Sequence, residues 1–267
     1  MKVHVTGQGG FVGSALVPAL RSRGHEIVGS IAAAQAVVHL AAIAHRRASA
    51  QELDEVNVRL AERLGRQSAA AGAQCVFLSS VKVHGETFEA ALRESSAIAP
   101  CDPYAASKAR AEDALRAIAG LRLAVLRAPL VYGPGVKANF LALMKAIDRR
   151  WPLPLASVEN RRSLIFAGNL ADVLIRCLSV QGTFLISDGQ AVSTPQLCRE
   201  LGEALERPAR LFPFPPALLP RKLAGSLEVD DSAVRRALSW QPPFTRQAGL
   251  KATADWYRSS GLPSKRR

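Results

Sequence analysis

Acidic residues are scarce: 22 Asp and Glu stand against 35 Lys and Arg in 267 residues, a net charge of +13 at pH 7. The excess does not read as a nucleic-acid surface. The basic residues are scattered, and no aromatic-interleaved stripe or known binding motif accompanies them. Among the clusters are Arg149-Arg150, Arg161-Arg162, Arg235-Arg236 and the terminal Lys265, Arg266 and Arg267. A polyanionic small ligand accounts for part of the charge equally well. Cysteine is sparse, with Cys75, Cys101, Cys177 and Cys198 far apart and no His nearby at ligand spacing. That pattern describes ordinary thiols in a reducing compartment and no metal site. Long apolar runs are missing too. The longest, residues 36–44, is interrupted by His39 and falls short of the roughly 20 residues that span a bilayer. The first residues pass from one Lys through a Val/His/Val alternation into glycines, with no apolar signal core, so a cytoplasmic location is expected.

What is present is a globular composition, 48% hydrophobic and 21% charged. Through about residue 190, short β-branched runs alternate with helical patterns, the signature of βαβ units and a parallel sheet. Strands are predicted at Lys2–Thr6, Glu26–Ile31, Ala36–Leu40, Gln74–Ser79, Leu121–Arg127 and Thr183–Ser187, and helices at Leu53–Ala71, Tyr104–Ile118 and Asn169–Cys177. Beyond Asp188 helices and Pro-bearing loops suggest a smaller C-terminal lobe. Pro18, inside the first helical pattern, predicts a kink.

Thr6-Gly7-Gln8-Gly9-Gly10-Phe11-Val12-Gly13 follows the first strand and opens a helix. Glycines there permit a tight turn, close approach to a pyrophosphate and tight helix packing, while the helix N-terminus attracts phosphate. Farther on, Tyr104 and Lys108 stand four residues apart behind Asp102-Pro103, a ready N-cap and first helical residue. An ammonium near a phenol is expected to draw its pKa from about 10 toward neutrality, equipping Tyr104 for proton exchange with a hydroxyl or ketone.

These motifs, with Val37-Val38-His39-Leu40-Ala41-Ala42, Asn57-Val58, Phe77-Leu78-Ser79-Ser80 ahead of Gly85, Leu130-Val131-Tyr132-Gly133-Pro134, Asn169-Leu170-Ala171-Asp172, Trp240 with Pro242, and Trp256, resemble the extended short-chain dehydrogenase/reductases of the NAD-dependent epimerase/dehydratase family. The resemblance implies an α/β fold, a Rossmann-like doubly wound parallel sheet with a smaller C-terminal substrate lobe, and a UDP-sugar substrate. It implies NAD or NADP bound by Gly7, Gly10, Phe11, Val12, Gly13, Leu40, Ala41, Ala42, Tyr104 and Lys108. Ser80, Tyr104 and Lys108 become the catalytic residues, with Ser80, Asn139 and Arg162 on the substrate and His84 structural. A helix-paired homodimer is usual for the family. Residues 1–132 and 163–188 would form the cofactor domain, 133–162 and 189–262 the sugar-nucleotide lobe, and 263–267 a basic tail.

Residues 80–83, 132–140 and 160–164 resemble the branch of UDP-hexose 4-ketoreductases of bacterial surface-polysaccharide (O-antigen) synthesis, often labelled UDP-glucose 4-epimerase; reductase and epimerase both remain open. One departure stands out. Where the family places a further helix and strand before the HLAA strand, only Ala32 to Ala36 is present, too short for a crossover of a dozen residues. Either the second strand is shortened or the sheet is rearranged. The acid that binds the adenosine ribose is also missing, the chain reading Ser30-Ile31-Ala32, with no Arg in its place. A chain that keeps the fold but only binds or regulates is the reading of another class.

Overall fold

The computed structural model describes residues 1–44 and 48–262; the basic tail 263–267 lies outside them. The chain runs through β1 (Lys2–Thr6), α1 (Phe11–Ser22), β2 (Glu26–Ile27) and β3 (Ala36–His39). A continuous helical run follows, α2 (Ala50–Leu53), a π-helical stretch Asp54–Arg59 and α3 (Leu60–Ala70). It leads to β4 (Gln74–Ser80), α4 (Pro103–Arg116), β5 (Arg122–Ala128), β6 (Leu130–Tyr132), α5 (Ala138–Asp148), β7 (Leu164–Phe166), α6 (Ala167–Arg176) and β8 (Gly182–Leu185). The last part contributes α7 (Thr194–Ala204), α8 (Arg221–Ala224), α9 (Ser232–Leu238) and α10 (Arg246–Ser259).

Six strands form one parallel sheet in the order β2-β1-β3-β4-β5-β8, the α/β arrangement expected. Helices α1 and α6 bury Leu16, Leu20, Leu170 and Leu174 against Val3, Val5, Val38, Val76 and Leu126. The opposite face packs Ala61, Ala111 and Leu115 on Phe77 and Val125. Strand β3 is buried along all four residues, as a parallel strand covered on both sides must be. A separate parallel pair, β6 and β7, forms where the sequence pattern predicts no strand. It leads into a second core where Tyr132, Phe140, Met144, Leu164, Leu201 and Tyr257 meet. Helix α1 runs uninterrupted through Pro18.

The predicted strand over Glu26–Ile31 shrinks to two residues, which is how the short connection closes. Strand β2 pairs only with the lower end of β1, Lys2 with Glu26 and Val3 with Ile27. Val3 is also where β3 begins, opposite Ala36. The chain therefore leaves β2 and enters β3 at the same height, and residues 28–35 need only cross β1 sideways. A 3-10 turn, Ile31–Ala33, makes the crossing, and Ile31 is buried against Val37, Leu64 and Ala73. Beside it lies an open groove of about 730 Å³ lined by His4, Gly29–Ala32, Leu64, Gln67, Ala70 and Ala71. Strand β1 alternates accordingly: Val3 and Val5 are buried, whereas Lys2 is exposed and His4 and Thr6 are half-buried.

Candidate active site

The glycine loop turns at Gly7, whose φ of +74° favours glycine and whose added Cβ would stand 2.9 Å from the Ala41 amide nitrogen. A Cβ on Gly13 would collide with the carbonyl oxygens of Gly7 and Gln8. Gly10 caps α1 without any side chain, so the first-turn amides, including those of Phe11, Val12 and Gly13, face outward uncapped. That cradle fits an anionic pyrophosphate. Thr6 joins the loop to the stretch after β3: its Oγ1 lies 2.7 Å from His39 Nδ1 and accepts from the Ala41 amide at 3.3 Å. Half-buried Leu40, Ala41 and Ala42 thus form one rim with the glycine loop. At the adenosine end the fit stops, since β2 is two residues long and Ser30 is exposed.

Ser80 ends β4 and Tyr104 opens α4. Asp102 caps α4 by accepting from the Ala105 amide at 2.7 Å, and its other oxygen accepts from Lys82 Nζ at 2.8 Å. The Lys82 amide in turn donates to Ser80 Oγ at 3.3 Å. This chain of contacts fastens the Ser80 turn to the start of the Tyr104 helix. From the other side Asn57, buried in the π-helical stretch, accepts from the Ile43 amide at 2.8 Å and donates to Ser107 Oγ at 2.9 Å. It ties the residues after β3 to the turn of α4 that carries Tyr104 and Lys108.

The electrostatics overturn one expectation. Burial and the Asp102 carboxylate push the Tyr104 phenol up to about 12, against the pull of a hydrogen bond with Ser80. The phenol therefore holds its proton at neutral pH instead of approaching neutrality. Lys108 is itself displaced: burial draws its ammonium down to about 7, with Glu112 opposing. Its Nζ sits 4.0 Å above the Phe77 ring. Desolvation outweighs the attraction that the Tyr/Lys spacing suggests. Buried His39 is drawn down to about 3 by burial and then by Lys108, so its imidazole is neutral.

Behind these residues lies a network that motif reading missed. Glu112, 1% exposed, accepts from Arg127 Nη2 at 2.6 Å, from Arg116 Nη2 at 2.7 Å and from the Ser79 hydroxyl. Arg127, 3% exposed, also meets His84 Nε2 at 3.0 Å, while His84 Nδ1 lies 3.0 Å from the Ala97 carbonyl, consistent with its structural role. Glu112 follows Tyr104 and Lys108 at the same four-residue step, and Arg127 interrupts an apolar strand; both signals were legible. Asp172 is likewise structural, held by Trp240 Nε1 at 2.7 Å and by Arg23 and Arg176.

The two diphosphate candidates lie outside the six-stranded sheet. Asn139 is exposed in the first turn of α5, next to Ala138 with φ of +53°. Arg162 is half-buried and donates through Nη1 to the carbonyls of Lys222 at 3.2 Å and Gly225 at 3.0 Å. Burial lowers its pKa and Glu86 opposes. Among the described residues no hydrogen bond or ion pair joins Asn139 or Arg162 to Ser80 or Tyr104.

A profile described as "NAD dependent epimerase/dehydratase family" matches residues 28–183. A protein of Vibrio cholerae named UDP-glucose 4-epimerase is 37% identical over 246 residues, 82% of this chain and 75% of that one. Among solved structures, UDP-N-acetylglucosamine 4-epimerase from Bacillus cereus superposes with a TM-score of 0.82 at 20% identity, over 97% of this chain and 99% of that one. The Bordetella bronchiseptica enzyme WbmG in complex with NAD and UDP gives 0.83 at 18% identity, over 97% and 96%.

Proposed function

Because the chain belongs to the NAD-dependent epimerase/dehydratase family, whose members use NAD or NADP, we propose that it is a UDP-4-keto-hexose reductase of bacterial surface-polysaccharide synthesis. The observation that carries the choice is the curtailed adenosine end. Strand β2 stops at Ile27, and only the turn at Ile31–Ala33 stands where relatives in the resemblance wall the adenine. An epimerase must keep its cofactor through two half-reactions, whereas a reductase releases it after every turnover and tolerates a shallow site. Losing a charged ribose contact, about 1.5 to 3 kcal/mol, and buried adenine surface should raise the dissociation constant by about two orders of magnitude or more.

Residues 1–132 with 163–188 make the cofactor domain, and 133–162 with 189–262 the lobe that closes on the UDP-sugar. The reduced cofactor, when bound, supplies a hydride to C4. Tyr104 hands its proton to the C4 oxygen, and the high phenol pKa suits that direction of transfer. Ser80 donates a hydrogen bond to the same oxygen, Lys108 holds the nicotinamide ribose, and Asn139 and Arg162 hold the diphosphate. The working form is a cytoplasmic homodimer. The name of the Vibrio cholerae relative favours the second reading, a 4-epimerase using the same three side chains. Against a purely binding role, Ser80, Tyr104 and Lys108 are all retained.

The test incubates purified protein with a UDP-4-keto-hexose and NADH or NADPH, following absorbance. Steady loss supports the reductase; interconversion of two UDP-hexoses without added reduced cofactor supports the epimerase. Near-stoichiometric NAD released by denaturing a preparation never given any would defeat the shallow-site argument.

A further inference from the structure

Two basic stretches that lie far apart in the sequence meet in the fold. Residues 149–158 and 207–227 hold Arg, Lys, Pro, Leu and aromatics without one Asp or Glu. The fold lays them side by side: the Leu153 amide donates to the Arg210 carbonyl at 2.8 Å, Phe212 to Leu153 at 3.0 Å and Ala156 to Phe212 at 3.1 Å. On this ribbon Trp151 is 55% exposed, Phe212 41% and Leu218 72%. Arg149, Arg150 and Arg210 are exposed, and none is matched by an acid among the described residues. Arg149 instead lies over the Trp151 ring, 5.3 Å from its centroid.

Exposed aromatics and leucines beside unpaired arginines are the composition of segments that rest in a lipid headgroup layer. Residues 207–225 also contain no Asn, Gln, Ser or Thr, the side chains that read or cradle nucleic acid beside Arg and Lys. We propose that this ribbon docks the protein on an anionic membrane surface, its arginines meeting lipid phosphates and its exposed Trp151 and Phe212 entering the headgroup layer. The charge is complementary to such a leaflet, and the proposal is independent of which reaction the site performs.

The full chain is sedimented with vesicles of phosphatidylcholine alone and of phosphatidylcholine with about 30% phosphatidylglycerol. The anionic vesicles should carry the protein down, salt should release it, and tryptophan emission should move to the blue on binding. The triple variant R149E/R150E/R210E should lose at least about 100-fold in partitioning. W151S/F212S, unchanged in charge, should lose at least about tenfold. A control reversal on the sheet domain, R21E/R63E/R122E, leaves the ribbon and the basic tail intact and should lose far less. The proposal fails if both vesicle types bind equally, if the control loses as much as the ribbon variant, or if W151S/F212S binds undiminished. It also fails if a single-stranded oligonucleotide binds more tightly than the vesicles.

Discussion

Replacing Lys108 with Met should make the protein more stable while removing its activity. Lys108 is 3% exposed, and burial holds its ammonium at about 7 against an ordinary 10.5. Each tenfold displacement of a protonation equilibrium corresponds to about 1.36 kcal/mol, so burying the charge costs on the order of 5 kcal/mol when the group is protonated in both states. Met keeps the length and apolar body without the charge. Allowing for the lost contact with Phe77, Lys108→Met should gain about 2 to 4 kcal/mol near pH 6. The sign with pH follows from a folded pKa below the unfolded one. The parent carries the full cost below pH 7 and sheds it as pH climbs from 7 to 10.5, because only the unfolded chain still binds the proton there. Urea denaturation of parent and variant at several pH values between about 6 and 10 measures this. The difference should be largest at the acid end and fall below about 1 kcal/mol near pH 10. A pH-independent difference, or a variant less stable than the parent at pH 6, would refute the buried-charge account.

Tyr104→Phe should leave folding and UDP binding nearly intact and lower kcat by at least about 100-fold; an unchanged kcat removes Tyr104 from the mechanism. Arg162→Ala should weaken UDP binding by about 10- to 100-fold in calorimetric titration, from a charge-assisted contact of roughly 1.5 to 3 kcal/mol. It also leaves the Lys222 carbonyl without its donor and the Gly225 carbonyl with Asn160 alone, so equal UDP affinity would reduce Arg162 to a brace for residues 222–225. Burial favours a neutral Glu112, but hydrogen bonds from Arg127, Ser79 and Arg116 hold its carboxyl below the usual range. Glu112→Gln strands the buried Arg127 charge and should cost about 3 to 5 kcal/mol in urea denaturation. A loss below about 1 kcal/mol would show that the network is not holding that region together.

Sequence reading reached the parts of the site that are local. Gly7, Gly10 and Gly13 span one turn and the start of α1, and Asp102, Tyr104 and Lys108 the cap and first turns of α4, so spacing alone locates them. What it missed depends on partners far along the chain. The direction of the Tyr104 pKa follows from enclosure and from Asp102, where the isolated Tyr/Lys pair suggests the reverse. Glu112 lies one four-residue step beyond Lys108 and Arg127 ends an apolar strand, but their pairing follows only from β5 lying against α4. The shortening of β2 was half legible: too few residues remained for the crossover, but where the strand would stop depended on its register with β1 and β3.

That register bears on the order in which the protein can assemble. Val3 and Ala36 pair across β1 and β3 within the first 39 residues of the chain. Loop-closure entropy rises only with the logarithm of loop length, about 0.6 kcal/mol per doubling, yet closure must precede every contact it permits. With β2 and β3 joined by residues 28–35 alone, the β2-β1-β3 ribbon demands no long segment to fold first, and its partner β4 follows 35 residues later. A nascent chain can therefore lay down this edge of the sheet before the Tyr104 helix has been synthesised. Pulse-labelling hydrogen exchange during refolding should find the amides of β1 and β3 protected no later than those of β5 and β8.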